Sequence, residues 1–243
     1  MVTAKEIAEK TMTPEKRALA HNDYFAFYVG RPLSYLLTIP FLYTSISPNT
    51  ISILSMVPLL IGFLIACFAQ TKGMMILCWV MFFLWNLLDG VDGNVARYKK
   101  QFSKYGSVYD AMAGYAAAAF TFLSMGILGA HHSGNILQGT VLQGEVILIL
   151  GSLSALVNIF PRLVMHKAIS TLMDKDAVSE VKEKQNFGFV KTVALNLRSV
   201  AGGGQVLMLL AILLNCMDIF TVFYFLFNSA VMLMSLRSIF KEK

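Results

Sequence analysis

The chain has 243 residues, of which 56% are hydrophobic and only 14% are charged, whereas an ordinary soluble domain has about 25% charged residues. Such a composition argues against a water-soluble globule, because too few polar side chains exist to cover its surface. The formal net charge of +6 would suit a nucleic-acid partner, but membrane proteins also collect Lys and Arg in their cytoplasmic loops. We therefore expect an all-α integral membrane protein that binds no nucleic acid.

Residues 1–48 are predicted to form a cytoplasmic N-terminus and a juxtamembrane helix. Charged side chains crowd the first 22 positions, so we expect no cleavable signal peptide. The apolar stretch 24–43 is interrupted by Arg31, Pro32 and Pro40, which leaves no clean run long enough to span a bilayer. This stretch is predicted to be an amphipathic helix that lies on the membrane surface.

Residues 49–243 are predicted to form one membrane domain with six transmembrane helices. Each span needs about 17 to 25 apolar residues to cross a hydrocarbon core of roughly 30 Å. The segments that meet this requirement are 49–69, 73–96, 106–130, 141–164, 198–216 and 218–238. Of the 20 Lys and Arg residues, only Lys72 falls in an outer loop under this topology. The positive-inside rule then places both termini in the cytoplasm, with the protein in an inner or plasma membrane and the polar stretch 166–198 as a cytoplasmic connection.

Three carboxylates stand where a membrane helix rarely carries them. Asp89 and Asp92 follow the apolar part of the second span, and Asp110 opens the third. An Asp at the centre of a spanning helix costs about 2.5 to 3.5 kcal/mol on insertion scales, so three of them near one membrane level indicate a function. Asp89 and Asp92 share a helix face, and the short connection brings Asp110 close to that face. Because hard oxygen ligands suit Mg²⁺ or Mn²⁺ together with substrate phosphates, the pattern predicts a metal site for a phosphorylated ligand at the cytoplasmic boundary.

Small residues and one arginine follow the carboxylates. Gly93 and Ala96 leave one helix face without large side chains, so a ligand can approach the backbone there. Arg97 offers a planar fork of donors for phosphate oxygens, and Gly106 widens the pocket again at the start of the next span. Each residue alone has an ordinary explanation as a packing residue or a membrane anchor, but together they favour a binding site.

Four other side chains are weaker candidates. Arg162 lies at the cytoplasmic end of the fourth span and is either a contact for an acceptor or lipid phosphate or an interfacial anchor. His166 is a candidate for contacting an acceptor phosphate. His131 and His132 fall in an outer loop, opposite the carboxylates, and are interpreted as a solvent-exposed pair.

The stretch DGVDGNVARYKKQFSKYGSVYD, residues 89–110, resembles the signature DxxDGxxARx(8 or 9)GxxxDxxxD of the CDP-alcohol phosphotransferase family. The positions that match are Asp89, Asp92, Gly93, Ala96, Arg97, Gly106 and Asp110. Upstream, SPNTIS at Ser47–Ser52 is similar to the Pro-Asn-x-x-Thr or Ser motif that starts the first core span in relatives. VKT at Val190–Thr192 is weakly similar to their later Lys-Thr motif.

This resemblance implies a six-helix membrane enzyme of phospholipid or related lipid biosynthesis. Such an enzyme transfers a substituted phosphate from a CDP-linked donor, CDP-diacylglycerol or a CDP-alcohol, to a lipid or polar alcohol acceptor and releases CMP. The resemblance implies two divalent ions on Asp89, Asp92 and Asp110, and a phosphate contact from Arg97, so that Asp110 and Arg97 are the catalytic candidates. The residues that would line the cytidine pocket are Gly93, Ala96 and Gly106. Dimers are common among relatives, so a homodimer is a further expectation.

One position departs from the signature. The family's fourth Asp, a metal ligand and the proposed general base, falls here on Gly114, which has no titratable side chain. General-base assistance is worth about 10²- to 10⁴-fold. Three interpretations remain open. The first is an active transferase whose base is replaced, for example by an acceptor that is already an anion, such as a phosphate. The second is a CDP-donor-binding pseudoenzyme or engineered variant, and the third, from another class, is a transporter or channel that passes ions along the carboxylates.

Overall fold

The computed structural model describes residues 2–132, 135–172 and 196–240. Within these ranges the chain is helical and contains no β-strand. The principal helices are α1 (Ala4–Thr11), α2 (Pro14–Ala20), α3 (Arg31–Leu42), α4 (Pro48–Phe68), α5 (Lys72–Tyr98), α6 (Gly106–His131), α7 (Glu145–Leu172), α8 (Gly203–Leu213) and α9 (Met217–Ile239). The predicted polar connection lies for the most part, and the VKT segment entirely, outside the described residues.

Five of these helices, α4, α5, α6, α7 and α9, are long and apolar enough to cross a membrane. They begin close to the predicted positions because local chemistry sets their ends. Ser47 caps α4 by accepting a hydrogen bond from the Thr50 amide, with Pro48 in the first turn, and Thr71 caps α5 in the same way. The structure confirms an all-α, multi-pass membrane protein.

The fifth predicted span, 198–216, is represented by α8, which has only 11 residues. Three consecutive glycines, Gly202–Gly204, explain the late start, because glycine is a poor helix former and these glycines allow close backbone packing. A Cβ added at the second glycine would come within 2.8 Å of a backbone oxygen of residue 196. At the other end, Lys72 Nζ donates to the Leu213 carbonyl at 3.0 Å and so caps α8.

The spanning helices pack into one bundle in which α4 contacts α5 and α6, and α7 contacts α6 and α9. The helices α6 and α7 approach closely, because a Cβ added to Gly151 would come within 2.5 Å of the Gly126 Cα. Small residues at such crossings let membrane helices approach closely. Phe82, Phe122 and Met208 fill the interior of the bundle and are almost fully buried.

The N-terminal segment packs lengthwise against α5. Residues 24–42 are continuously helical, with a π-helical turn at Ala26–Gly30 that leads into α3. Pro32 is accommodated in the first turn of α3, so the helix continues through it. Successive contacts pair Gly30 with Asn86 and Ser34 with Gly90, a constant offset which shows that α3 runs parallel to α5. Its position relative to the bilayer surface stays a prediction.

Candidate active site

The three predicted carboxylates lie in the same region, near the end of α5 and the start of α6, where they interact electrostatically. Asp89 and Asp92 lie in the second half of α5, and Asp110 lies on the second turn of α6. Asp89 interacts electrostatically with both other carboxylates, and Asp92 interacts with Asp110. The turn between the helices is held by Asn49 at the start of α4, whose side-chain amide donates to Ser103 Oγ at 3.1 Å. In the described parts of the chain, no group of three or more Asp, Glu, His or Cys side chains is arranged so that it could hold a metal ion, and this includes the three carboxylates.

Asp92 has a buried side chain and is only 7% exposed. Its carboxylate accepts a hydrogen bond from Ser52 Oγ on α4. Within the described residues, no Lys, Arg or His makes a salt bridge with Asp89, Asp92 or Asp110. A buried carboxylate without a counter-ion is costly, so the site is chemically suited to a bound cation. Ser52 lies in the SPNTIS segment, but its contact with Asp92 was not predicted.

Arg97 lies back along α5 and covers Gly93. A Cβ at Gly93 would be 2.9 Å from Arg97 Nη2, so the glycine makes room for the guanidinium. The patch predicted to be open to a ligand is therefore occupied by Arg97. Arg97 interacts electrostatically with Asp92 and Asp110, and its buried Nε has no hydrogen-bond partner.

Asn94 holds Arg97 and links it to α3, a role that was not predicted from the sequence. Its Oδ1 accepts a hydrogen bond from Arg97 Nη2 at 3.2 Å. Its Nδ2 donates to Ser34 Oγ at 3.3 Å and Thr38 Oγ1 at 3.1 Å. Asn94 is 3% exposed, and a polar residue in the middle of the signature was the signal that could have drawn attention to it.

The remaining motif positions border open space. Ala96 is partly exposed, and a Cβ added to Gly106 or Gly114 would have no heavy atom within 4 Å. Gly114 lies one helical turn after Asp110, on the same side of α6. A side chain at position 114 would therefore begin in open space, on the side of α6 that carries Asp110.

A second group of polar side chains joins α6 to α7 and includes Tyr115, the residue that follows Gly114. Tyr115 forms a hydrogen bond with His166 Nδ1 at 2.8 Å, and Arg162 interacts electrostatically with Tyr115 and with Arg198. Both arginines are partly buried, and neither makes a salt bridge to a carboxylate within the described ranges. The structure thus brings Arg162 and His166 together and adds Tyr115 and Arg198, which the sequence did not indicate.

His131 and His132 lie at the opposite end of α6 from the carboxylates. They line a polar pocket of about 480 Å³ with Asn135 and Asp218, among other residues. This placement agrees with the prediction that the pair is remote from the carboxylates.

These features define a multi-pass membrane protein with an acidic, arginine-containing site at one end of its bundle. The model of the CDP-alcohol phosphatidyltransferase family matches residues 45–236, and the chain belongs to this family. Its members are membrane-embedded phosphotransferases of phospholipid biosynthesis that use divalent metal ions. A search of curated proteins found no match. Membership argues against the transporter interpretation.

Proposed function

We propose that the chain is a phosphotransferase that uses a CDP-linked donor, binds it on the cytoplasmic side of an inner or plasma membrane, and releases CMP. The observation that supports this proposal is electrostatic: Asp89, Asp92 and Asp110 interact with one another, and Asp92 and Asp110 interact with Arg97, at one end of the bundle. We infer that the protein acts as a homodimer, as is common among its relatives.

The carboxylates would hold Mg²⁺ or Mn²⁺, in two sites. Their hard oxygen atoms and their lack of salt bridges within the described residues support this assignment. An incomplete protein ligand set also fits, because Mg²⁺ usually keeps waters and takes substrate phosphates as ligands. When bound, the ions neutralise negative charge on the donor diphosphate and on the group that departs.

Arg97 would bind a donor phosphate. Two of its features suit it to phosphate binding, namely a planar fork of donors and a buried Nε without a partner. Because Arg97 covers Gly93, donor binding would move the guanidinium toward the phosphate and expose the small residues Gly93 and Ala96. These residues, with Gly106 across the turn, would then border the cytidine.

The acceptor is proposed to carry a phosphate group. Gly114 provides no base, so a nucleophile that is already ionised has an advantage over a hydroxyl. Arg162, which interacts with Tyr115 and with Arg198, forms with Arg198 a cationic group suited to an anion. An acceptor phosphate oxygen would form a bond to the phosphorus distal to the cytidine, while the bond from that phosphorus to the bridging oxygen breaks. CMP departs with the electron pair, and no proton has to be removed from the acceptor.

A second candidate function is supported by Gly114 itself. Without a general base, the chain would bind the CDP-linked donor but not turn it over, either alone or as the partner of an active homologue. Both functions require donor binding at the same residues, so they differ only in the release of CMP.

The test is to supply the purified, reconstituted protein with Mg²⁺ and a panel of donors and acceptors, and to measure CMP. The donors are CDP-diacylglycerol and CDP-ethanolamine, and the acceptors include alcohols, sugar phosphates and phosphatidic acid. We expect release with a phosphate-bearing acceptor, loss in Asp89→Asn, and no change in Glu145→Gln, a matched control at the far end of the bundle. Mg²⁺-dependent donor binding without CMP release would favour the second function. Absence of binding to every donor would refute both.

A further inference from the structure

Arg31 lies on the first turn of α3 and has no part in the function proposed above. Its guanidinium interacts electrostatically with that of Arg97. The Nε atoms of both arginines are buried, and neither has a hydrogen-bond partner. Two neighbouring cations with buried, unused donors are unfavourable unless an anion lies between them.

The packing of α3 against α5 fixes the location of Arg31. A Cβ added to Gly90 would come within 2.9 Å of Ser34, which shows how closely the two helices approach. One turn later on α5, Asn94 donates hydrogen bonds to Ser34 and Thr38 and so holds α5 against α3. Because Gly30 lies opposite Asn86, the backbone of Arg31 lies beside the part of α5 that carries Asp89, and not beside the later part that carries Ala96.

The charges around Arg31 do not neutralise it within the described residues. Asp23 interacts with Arg31 electrostatically, but no salt bridge within 4 Å joins them. Burial raises the pKa of the Asp23 carboxyl above its ordinary value, which weakens it as a counter-ion. Tyr35, on the next turn of α3, also interacts electrostatically with Arg97. Two guanidinium groups therefore interact between α3 and α5, and one of them, that of Arg97, also interacts with Asp92 and Asp110.

We propose that Arg31 is a second phosphate-binding arginine of the donor site and that it contacts the phosphate distal to the cytidine. This inference rests on the proposed function. The register of the two helices sets the orientation proposed for the donor. The small residues proposed to border the cytidine lie later on α5, whereas Arg31 lies beside the part of α5 that carries Asp89. The diphosphate would therefore extend from the cytidine toward Arg31. Arg97 would contact the diphosphate from the other side.

The experiment compares CDP with CMP, because only CDP has the second phosphate. The full-length protein is placed in zwitterionic nanodiscs, and Mg²⁺-dependent affinities are measured by titration calorimetry for the wild type, Arg31→Gln and Arg31→Lys. Arg237→Gln, on the exposed last turn of α9, is the matched control. In Arg31→Gln we expect CDP affinity to fall about 10-fold or more, as for loss of a charge-assisted hydrogen bond, and CMP affinity to change less than about twofold. Arg31→Lys should lie between, and the control should match the wild type.

Several results would overturn this inference and leave the proposed function standing. The first is a wild-type protein that binds both nucleotides while Arg31→Gln binds CDP equally well. The second is an equal loss for CDP and CMP, which would exclude a specific contact with the distal phosphate. The third concerns a lipid phosphate as the anion. In this result, phosphatidic acid in the nanodiscs protects the wild type from unfolding, Arg31→Gln removes that protection, and the substitution leaves CDP affinity unchanged. Arg31 would then bind a lipid phosphate, and its assignment to the donor site would be wrong. Failure of the wild type to bind either nucleotide would instead refute the proposed function.

Thermal unfolding without ligand separates binding from a structural role. Arg31→Gln removes one of two neighbouring like charges, so its unfolding temperature should equal or exceed that of the wild type. A marked decrease would show that Arg31 stabilises the fold and would contradict the proposal.

Discussion

Restoring the missing carboxylate by Gly114→Asp tests whether the remainder of the site is competent. The new side chain has room, because a Cβ at this position meets no heavy atom within 4 Å. It would lie on the same side of α6 as Asp110, at a Cβ separation of about 6 Å. Since a well-placed general base is worth about 10²- to 10⁴-fold, we expect CMP release with hydroxyl acceptors to increase by about 10²-fold or more. Release with phosphate-bearing acceptors, which need no base, should change little.

The same substitution has a cost that can be measured independently. Two carboxylates about 6 Å apart repel by about 3 kcal/mol at an effective dielectric constant of about 20. The metal-free variant should therefore unfold at a lower temperature than the wild type, and Mg²⁺ should reverse most of this difference because a cation between the carboxylates removes the repulsion. Gly114→Asn, which adds a side chain of similar size without the charge, should show neither effect.

The assay is continuous measurement of CMP release in nanodiscs, with hydroxyl and phosphate acceptors tested in parallel and CDP binding measured for each variant. A variant that binds CDP as tightly as the wild type, but gains no activity with any hydroxyl acceptor, would refute the reasoning that Gly114 is the deficient position. An equal gain with Gly114→Asn would also refute it, because an amide cannot act as a carboxylate base.

Three further predictions concern the supports of the site. Ser52→Ala removes the hydrogen bond to the buried carboxylate of Asp92. The free energy of unfolding should fall by about 1 to 3 kcal/mol, and the Mg²⁺-dependent affinity for CDP should fall as well. The control Ser55→Ala loses only a bond within α4 and should keep that affinity. Gly90→Leu forces a side chain against Ser34 and should lower stability by about 1 to 3 kcal/mol in thermal unfolding; an unchanged transition would show that α3 does not pack there. Chelation with EDTA should abolish CDP binding until Mg²⁺ is restored, and metal-independent binding would contradict the carboxylate site.

The membrane class and most of the spans could be predicted because hydropathy and capping are local properties. The runs that became α4, α5 and α6 carry their own start signals, such as Ser47 and Thr71, and need no partner to be recognised. Helical spacing places Asp89 and Asp92 on one side of α5, and the short connection to α6 explains why Asp110 interacts electrostatically with both. The second and third spans were expected to be neighbours, but α5 and α6 contact each other far less than each contacts α4. The short length of α8 could not be predicted as readily, because the three glycines at its start delay the helix through close backbone contacts that the sequence does not show.

The tertiary structure decided which groups support and neighbour the carboxylates. Ser52 reaches Asp92 across 40 positions of sequence, and Asn94 joins α5 to residues of α3 nearly 60 positions earlier. Whether Gly93 is open or covered depends on the rotamer of Arg97, and the approach of Arg31 to Arg97 depends on the register of two helices. Sequence spacing determines which residues share a face of one helix, but only packing determines what that face meets, because contacts between distant segments leave no periodic signal in a single chain.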